Sequence, residues 1–424
     1  MKILFVAGGV PSRIGQCHVL DLLIALSKFH QVSVVCCDLG TSAEADAKDG
    51  LRKIADLRCV PCPRRSLLSK GLRSLWSRAP VAVEGYRSAA MRDAVCEATR
   101  DAKYDVIIFE QLVTAQYGRL TNDVPKLLFP VDAVSRLKWQ RCRASLNPVR
   151  KLALWVDYLM CKRYETRVYA EFDGVMLVSD ADANYVLENR QLNKSSVFLL
   201  PLAVDADYFV PRERNTECGL SLVFAGNMFN YINEDAILWF FREVWGGLKK
   251  QLPKLKLYVA GNDPSDRVRA LAAKDSNVIV TGFLEDIRPP IWNATVFVSP
   301  LRMGTGVKNR ILQAMAMGKA IIASPLTIEG IAVTDGVQVL LAESTGEWLK
   351  RCLSLLQNGG ERERLGRQAR KYVEENHSLR AKTSRFLEIV QQIKSSRHSV
   401  PMDAAKHRKR PQTYENRSMS QLVL

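Results

Sequence analysis

The sequence predicts an α/β protein built from two doubly wound, Rossmann-like domains that face each other across a cleft. Three observations lead there. The chain's 424 residues are too many for one ordinary core and suit two domains of roughly 150 to 200 residues each. Short apolar runs of strand length alternate with helical segments in two separate series, the order of parallel sheets covered on both faces. Each series also places a glycine loop after a strand, where doubly wound sheets bind their ligands.

Composition narrows the function classes. With 47% hydrophobic and 25% charged residues, the chain has the make-up of a folded globular protein. No apolar run reaches the roughly 20 residues of a membrane span. The opening MKILFVAGGVP reads as a first strand rather than a leader, so a cytoplasmic location is expected. The ten cysteines are scattered apart from Cys36 with Cys37 and the pair Cys59 and Cys62. With no second pair or histidines at ligand spacing, no metal is expected. A formal charge of +17 calls for an anionic partner: a nucleotide diphosphate, an anionic membrane leaflet or nucleic acid. No helix-turn-helix, zinc finger or RNA-binding aromatic box is present, which sets nucleic acid aside.

In order, Lys2 to Ala7 reads as a buried parallel strand, GGVPSRIGQ as its loop, Val19 to Phe29 as a helix and Gln31 to Cys37 as the second strand. Pro61 to Arg92 interleaves basic residues with Leu, Trp and Tyr. It is either a patch for an anionic membrane or a solvated, mobile loop. Asp105 to Glu110 and Lys126 to Pro130 are buried strands, the second running into Asp132. Ser135 to Phe172 is helical and broken at Pro148. It is an internal helix pair with solvated arginines or a seat for a lipid-linked acceptor. Gly174 to Val178 is a strand, Ser179 caps the following helix, and Val197 to Leu200 is the last strand of the first domain.

After a linker, six strands alternate with helices: Leu220 to Ala225, Lys256 to Ala260, Asn277 to Thr281, Thr295 to Ser299, Ala320 to Ala323 and Val337 to Ala342. The expected domains are 1–203 and 204–377, then a final helix at 378–394 and a disordered basic tail at 395–424.

The most informative stretch is VFVSPLRMGTGVKNRILQAMAMGKAIIASPL, Val296 to Leu326. It has the order of strand, anion loop and helix. The first turn of a helix leaves backbone N–H groups unpaired at the positive end of its dipole, where an anion is stabilised. Gly304 and Gly306 let the backbone come close, Arg302, Lys308 and Arg310 add cations, and Gly318 ends the helix. On residue types alone, a surface loop with solvated charges before a core helix fits as well.

Within this stretch PLRMGTGVKNRILQAMAMGKAIIAS resembles the nucleotide-sugar loop and helix of family four, the large group of retaining glycosyltransferases with the two-Rossmann GT-B fold. VFAGNMFNYINEDAILWFFREVW, VTGFLEDIRPPIWNATVFVSPLR, VDADYFVP and GVMLVSDADANYVLE are similar to a subgroup associated with exopolysaccharide clusters. The resemblance implies a GT-B fold and transfer of a sugar from a nucleotide-diphosphate donor to a glycan or lipid-linked acceptor. It implies no metal and no cofactor beyond the donor substrate. The basic surface leaves two expectations open beside it, a cytoplasmic protein or one held peripherally on the inner face of the cell membrane.

It further implies site residues. Asp132, Arg302 and Lys308 are the catalytic candidates: Asp132 faces the sugar, and the two cations neutralise the leaving diphosphate. Gly15, flanked by Arg13 and Gln16, matches the glycine of the first loop beside donor and acceptor. Gly226, Asn227, Gly304, Gly306 and Arg310 complete the donor site. Two places depart from the family pattern. Its paired glutamates stand here as Thr305 and Gln313, the latter at the position that binds ribose, and its Arg and Lys pair after Gly226 is missing. A 2-epimerase-like GT-B enzyme and a noncatalytic nucleotide-sugar or polyanion binder therefore stay open beside the transferase.

Overall fold

The structure, a computed structural model, describes residues 1–12, 17–38, 40, 42–62, 66–121, 124–145, 147–188, 192–212, 219–304 and 307–398. In the first domain β1 (Lys2–Ala7), β2 (Gln31–Asp38), β3 (Asp56–Pro61), β4 (Val106–Glu110), β5 (Lys126–Val131), β6 (Gly174–Leu177) and β7 (Val197–Leu199) form one sheet, in the order β3-β2-β1-β4-β5-β6-β7. All its pairings are parallel. In the second domain β8 (Ser221–Ala225), β9 (Lys256–Ala260), β10 (Val278–Gly282), β11 (Val296–Ser299), β12 (Ile321–Ala323) and β13 (Leu340–Leu341) form a parallel sheet in the order β10-β9-β8-β11-β12-β13.

The strands form where apolar side chains serve both faces. In β1, Ile3 and Phe5 join one core while Leu4 and Val6 join the core on the opposite face, as the two-residue period of a strand requires. Six of the seven first-domain strands fall where the sequence places them. β3 is the exception. It is an edge strand whose residues are largely exposed or half-buried, so its DLRCVP lacks the apolar run that marks the interior strands. The reading of Pro61 to Arg92 as a mobile loop is corrected as well. Helices occupy Leu67–Ser77 and Val81–Gly85, and a third begins at Ala89. Pro148 does separate two helices, Val134–Ala144 and Pro148–Tyr169, sitting in the first turn of the second.

The chain returns to the first domain at its end. Val204 and Ser378 form a parallel bridge, and the helix Leu379–His398 buries Phe386, Ile389, Val390 and Ile393 in the core that holds Val19, Leu22 and Leu23. Lys394 and Arg397 then pair with Asp105 and Asp173 at 2.6 and 3.0 Å. Helix therefore continues through the first four residues assigned to the tail, 395–398, and the rest of that tail lies outside the described residues.

One close approach positions the second domain's ligand edge. Gly261, just after β9, has φ 150°, and a Cβ there would lie 1.7 Å from the Gly226 carbonyl oxygen at the end of β8. Only glycine fits. Gly261→Ala is expected to cost about 2 kcal/mol or more of stability through this clash, read as a lower urea midpoint at unchanged m-value. An unchanged midpoint contradicts the packing described.

Candidate interdomain active site

In both sheets the strand order reverses beside the first strand: between β1 and β4 in one, and between β8 and β11 in the other. Crevices open at the carboxyl ends of strands at such points. On the first domain this edge carries Gly8 after β1, Glu110 at the end of β4 and Asp132 after β5. Glu110 is fully buried and accepts a hydrogen bond from the Gly8 N–H at 3.4 Å. Asp132 follows Val131, whose φ of 74° is a strained conformation for a β-branched residue. On the second domain the edge carries Gly226 and Asn227 after β8, and Arg302 to Gly304 after β11.

The two edges meet in a cluster of five charged side chains. Asp182, fully buried in the first turn of the helix Asp180–Leu187, accepts a hydrogen bond from the Ser179 hydroxyl at 2.7 Å and pairs with Arg136 at 3.3 Å. Arg136 reaches across to Glu329 of the second domain at 2.5 Å. Lys308 is half-buried at the N-cap of the helix Asn309–Ala316. Burial depresses its ammonium pKa, against the pull of Asp132, Glu329 and Asp182, which favour the charge. Burial, then the neighbouring Asp182, pushes Asp132 up to about 6, while Lys308 and Arg136 pull it down. Asp132 and Lys308 therefore belong to one electrostatic unit assembled from both domains.

Close packing keeps the unit together. Gly330 has φ 83°, and a Cβ there would meet Val307 at 2.8 Å and Ser179 of the other domain at 3.0 Å. Arg141 stacks over the Tyr231 ring at 4.9 Å, a second crossing between domains.

The remaining candidates are placed as follows. Gly304 is buried with φ 121°, and Lys308 lies beside it. Gly226 is buried, its N–H donating to Ala260 at 3.0 Å. Asn227 accepts from the Phe229 N–H at 3.0 Å and shapes the turn. Arg302 forms a forked pair with Asp235 at 3.0 and 2.6 Å, beside the Trp239 ring. That pairing commits its charge to Asp235 rather than to the cluster around Lys308. Gln313 is buried, and its side-chain oxygen accepts from Arg310 at 2.6 Å. Gly15, Thr305 and Gly306, with Arg13 and Gln16, lie outside the described residues. Sequence reasoning missed Arg136, Asp182, Glu329 and Glu110; no local motif marks them.

Residues 219–358 match the family model described as glycosyl transferases group 1. That match falls within the second domain and takes in β8 to β13. Over 295 residues the chain is 20% identical to an uncharacterized 44.6 kDa protein of the cps region of Klebsiella pneumoniae, spanning 68% of this chain and 74% of that protein. Over 249 residues it is 22% identical to an uncharacterized glycosyltransferase of Methanocaldococcus jannaschii, spanning 56% of this chain and 63% of that one. Among solved structures it is similar to a sucrose-phosphate synthase of Thermosynechococcus elongatus, with TM-score 0.67, 15% identity and coverage of 93% and 100% of the two chains. It is also similar to Anabaena HepE in complex with UDP-glucose, with TM-score 0.62, 12% identity and coverage of 94% and 100%. The described residues thus have the GT-B fold, with the domain that contains residues 219–358 facing Asp132 across the cleft. Among the described residues no group of His, Cys, Asp or Glu is arranged to hold a metal ion.

Asp132 carries a testable cost. Its carboxyl ordinarily ionises near 3.8 and is raised to about 6 in the folded protein. Between those values the folded state holds the proton that the unfolded chain has lost, so this group lowers stability as pH rises from about 4 to about 6 and keeps it lower above. Asp132→Asn is expected to raise the melting temperature at pH 8 and to leave it nearly unchanged below pH 4. Equal effects at both pH values would contradict the burial of an ionised carboxylate here.

Proposed function

We propose that the protein is a glycosyltransferase that moves a sugar from a nucleotide-diphosphate donor to the hydroxyl of a glycan or lipid-linked acceptor, with retention at the anomeric carbon and without a metal. The observation that carries this is Lys308: a half-buried ammonium at the start of a helix in a group 1 domain, facing the carboxylate of Asp132 on the opposite domain. The bond to break joins the anomeric carbon to the diphosphate, which leaves with the electron pair. Lys308 and the backbone N–H groups of the first helical turn would receive that growing charge, the electrostatic term that usually dominates such catalysis. The acceptor oxygen forms the new bond and loses its proton. Asp132, titrating near 6, is matched to hold that proton or the hydroxyl that supplies it. Retention is supported by the family resemblance of the donor loop.

An acceptor presented at a membrane is supported by the helix Pro148–Tyr169. Val149, Leu152, Trp155 and Val156 are exposed on it beside Arg150 and Lys151. Apolar side chains flanked by cations suit peripheral contact with an anionic leaflet. No helix among the described residues is long and apolar enough to cross a membrane.

The departure at Gln313 favours one alternative, a nucleotide-sugar binder without catalysis, because the side-chain oxygen available for ribose is taken by Arg310. Incubation with a panel of labelled nucleotide sugars and a glycan or lipid extract separates the readings. A labelled acceptor supports transfer, a free altered sugar indicates an epimerase, and bound donor alone indicates a binder. Lys308→Ala is expected to weaken nucleoside-diphosphate binding by at least tenfold in calorimetry while leaving the melting temperature within a few degrees, since a charge-assisted bond to phosphate is worth about 1.5–3 kcal/mol. Unchanged affinity would remove Lys308 from the donor site.

A further inference from the structure

The first domain holds a cavity of about 470 Å³ that shares no residue with the cleft cluster. Five arginines line it: Arg73, Arg87, Arg92, Arg119 and Arg167, against one lining carboxylate, Glu171. Several are partly compensated. Arg119 pairs with Glu171 at 2.5 Å, Arg87 and Arg73 approach Glu84 at 2.8 and 3.6 Å, and Arg92 meets Asp93 at 3.0 Å. Arg167 makes no ion pair among the described residues and lies 5.6 Å from the centre of the Tyr164 ring. The helix Ala89–Asp101 also starts at this cavity, with Ser88 and Ala89 in its wall.

The deciding feature is Tyr164. It is only 4% exposed, it lines the cavity, and its hydroxyl is buried with no hydrogen-bond partner among the described residues. A buried hydroxyl left unpaired costs free energy that a ligand acceptor recovers. Burial raises its pKa, outweighing the opposite pull of Arg167 and Arg87, so the hydroxyl stays protonated and can donate.

We infer that this cavity binds the phosphate group of a phosphate ester, with Tyr164 and Arg167 donating to its oxygens at the mouth of the helix Ala89–Asp101. A tetrahedral anion with several acceptor oxygens suits converging guanidinium groups, a hydroxyl and a helix N-terminus. The volume is that of a small-molecule pocket and leaves room for an organic group beyond a bare ion. Leu120, in the cavity wall, is partly exposed, and Trp76, next to the lining residue Ser77, is 94% exposed, so apolar side chains lie beside the exposed arginines. The ester is therefore either a soluble one or a phospholipid headgroup.

The site does not rest on the donor reading, and the test is run on full-length Lys308→Ala protein so that the two fail separately. Calorimetry with glycerol 3-phosphate is the soluble arm. Sedimentation with phosphatidylcholine vesicles carrying phosphatidic acid is the lipid arm. In at least one arm, saturable binding is expected that falls about tenfold in Tyr164→Phe and in Arg167→Gln, the loss of one charge-assisted hydrogen bond in each case. Lys350→Gln, an exposed cation on the other domain, should leave it unchanged. Sensitivity in the soluble arm assigns a soluble ester, and sensitivity in the vesicle arm alone assigns a headgroup. Binding in neither arm, or binding that Tyr164→Phe and Arg167→Gln do not alter, overturns the inference.

Discussion

A half-buried ammonium needs compensation, and much of the cleft is arranged around that need at Lys308. Its compensating carboxylates, Asp132, Asp182 and Glu329, come from both domains. Two of them are already held by Arg136, which bridges Asp182 at 3.3 Å and Glu329 at 2.5 Å. Asp132 is the third: burial, then the charge of Asp182, pushes it up to about 6, against the pull of Lys308 and Arg136. On the function proposed above, a cation and a carboxylate balanced against each other in this way exchange partners when a diphosphate and an acceptor hydroxyl arrive.

The fold supplies the placement. Each sheet brings the ends of its central strands to a reversal point, so residues from distant parts of each domain share one edge. The domains are then fixed relative to each other by the Arg136–Glu329 pair, the contact of Gly330 with Ser179, and the return of the helix Leu379–His398 to the first domain's core. Placing Gly330 where a Cβ would strike the opposite domain shows how little space separates the walls of the site.

Much of this was legible in the sequence where physics is local. Interior strands announce themselves as continuous apolar runs, and the order strand, glycine loop, helix around Gly304 and Lys308 places that loop at the carboxyl edge of the second sheet. The edge strand β3 lacks such a run and was missed. Asp132 was reached through resemblance, and its raised pKa depends on burial that no local pattern encodes. Pairings between remote residues were illegible for the same reason. Arg136 and Glu329 are 193 residues apart, and Arg302 is 67 residues from the Asp235 that engages it. Tyr164 looks like any helical aromatic until its neighbours are known.

The claim that Lys308 and Asp132 form one unit around a bound diphosphate is tested most directly by proton linkage. An added anion beside Asp132 raises its pKa further, so binding a nucleoside diphosphate at pH 7 should draw a proton into the protein. Calorimetric titration in two buffers of different ionisation enthalpy measures that proton. The account predicts greater uptake in the wild-type protein than in Asp132→Asn. Identical proton exchange in the two proteins would contradict it.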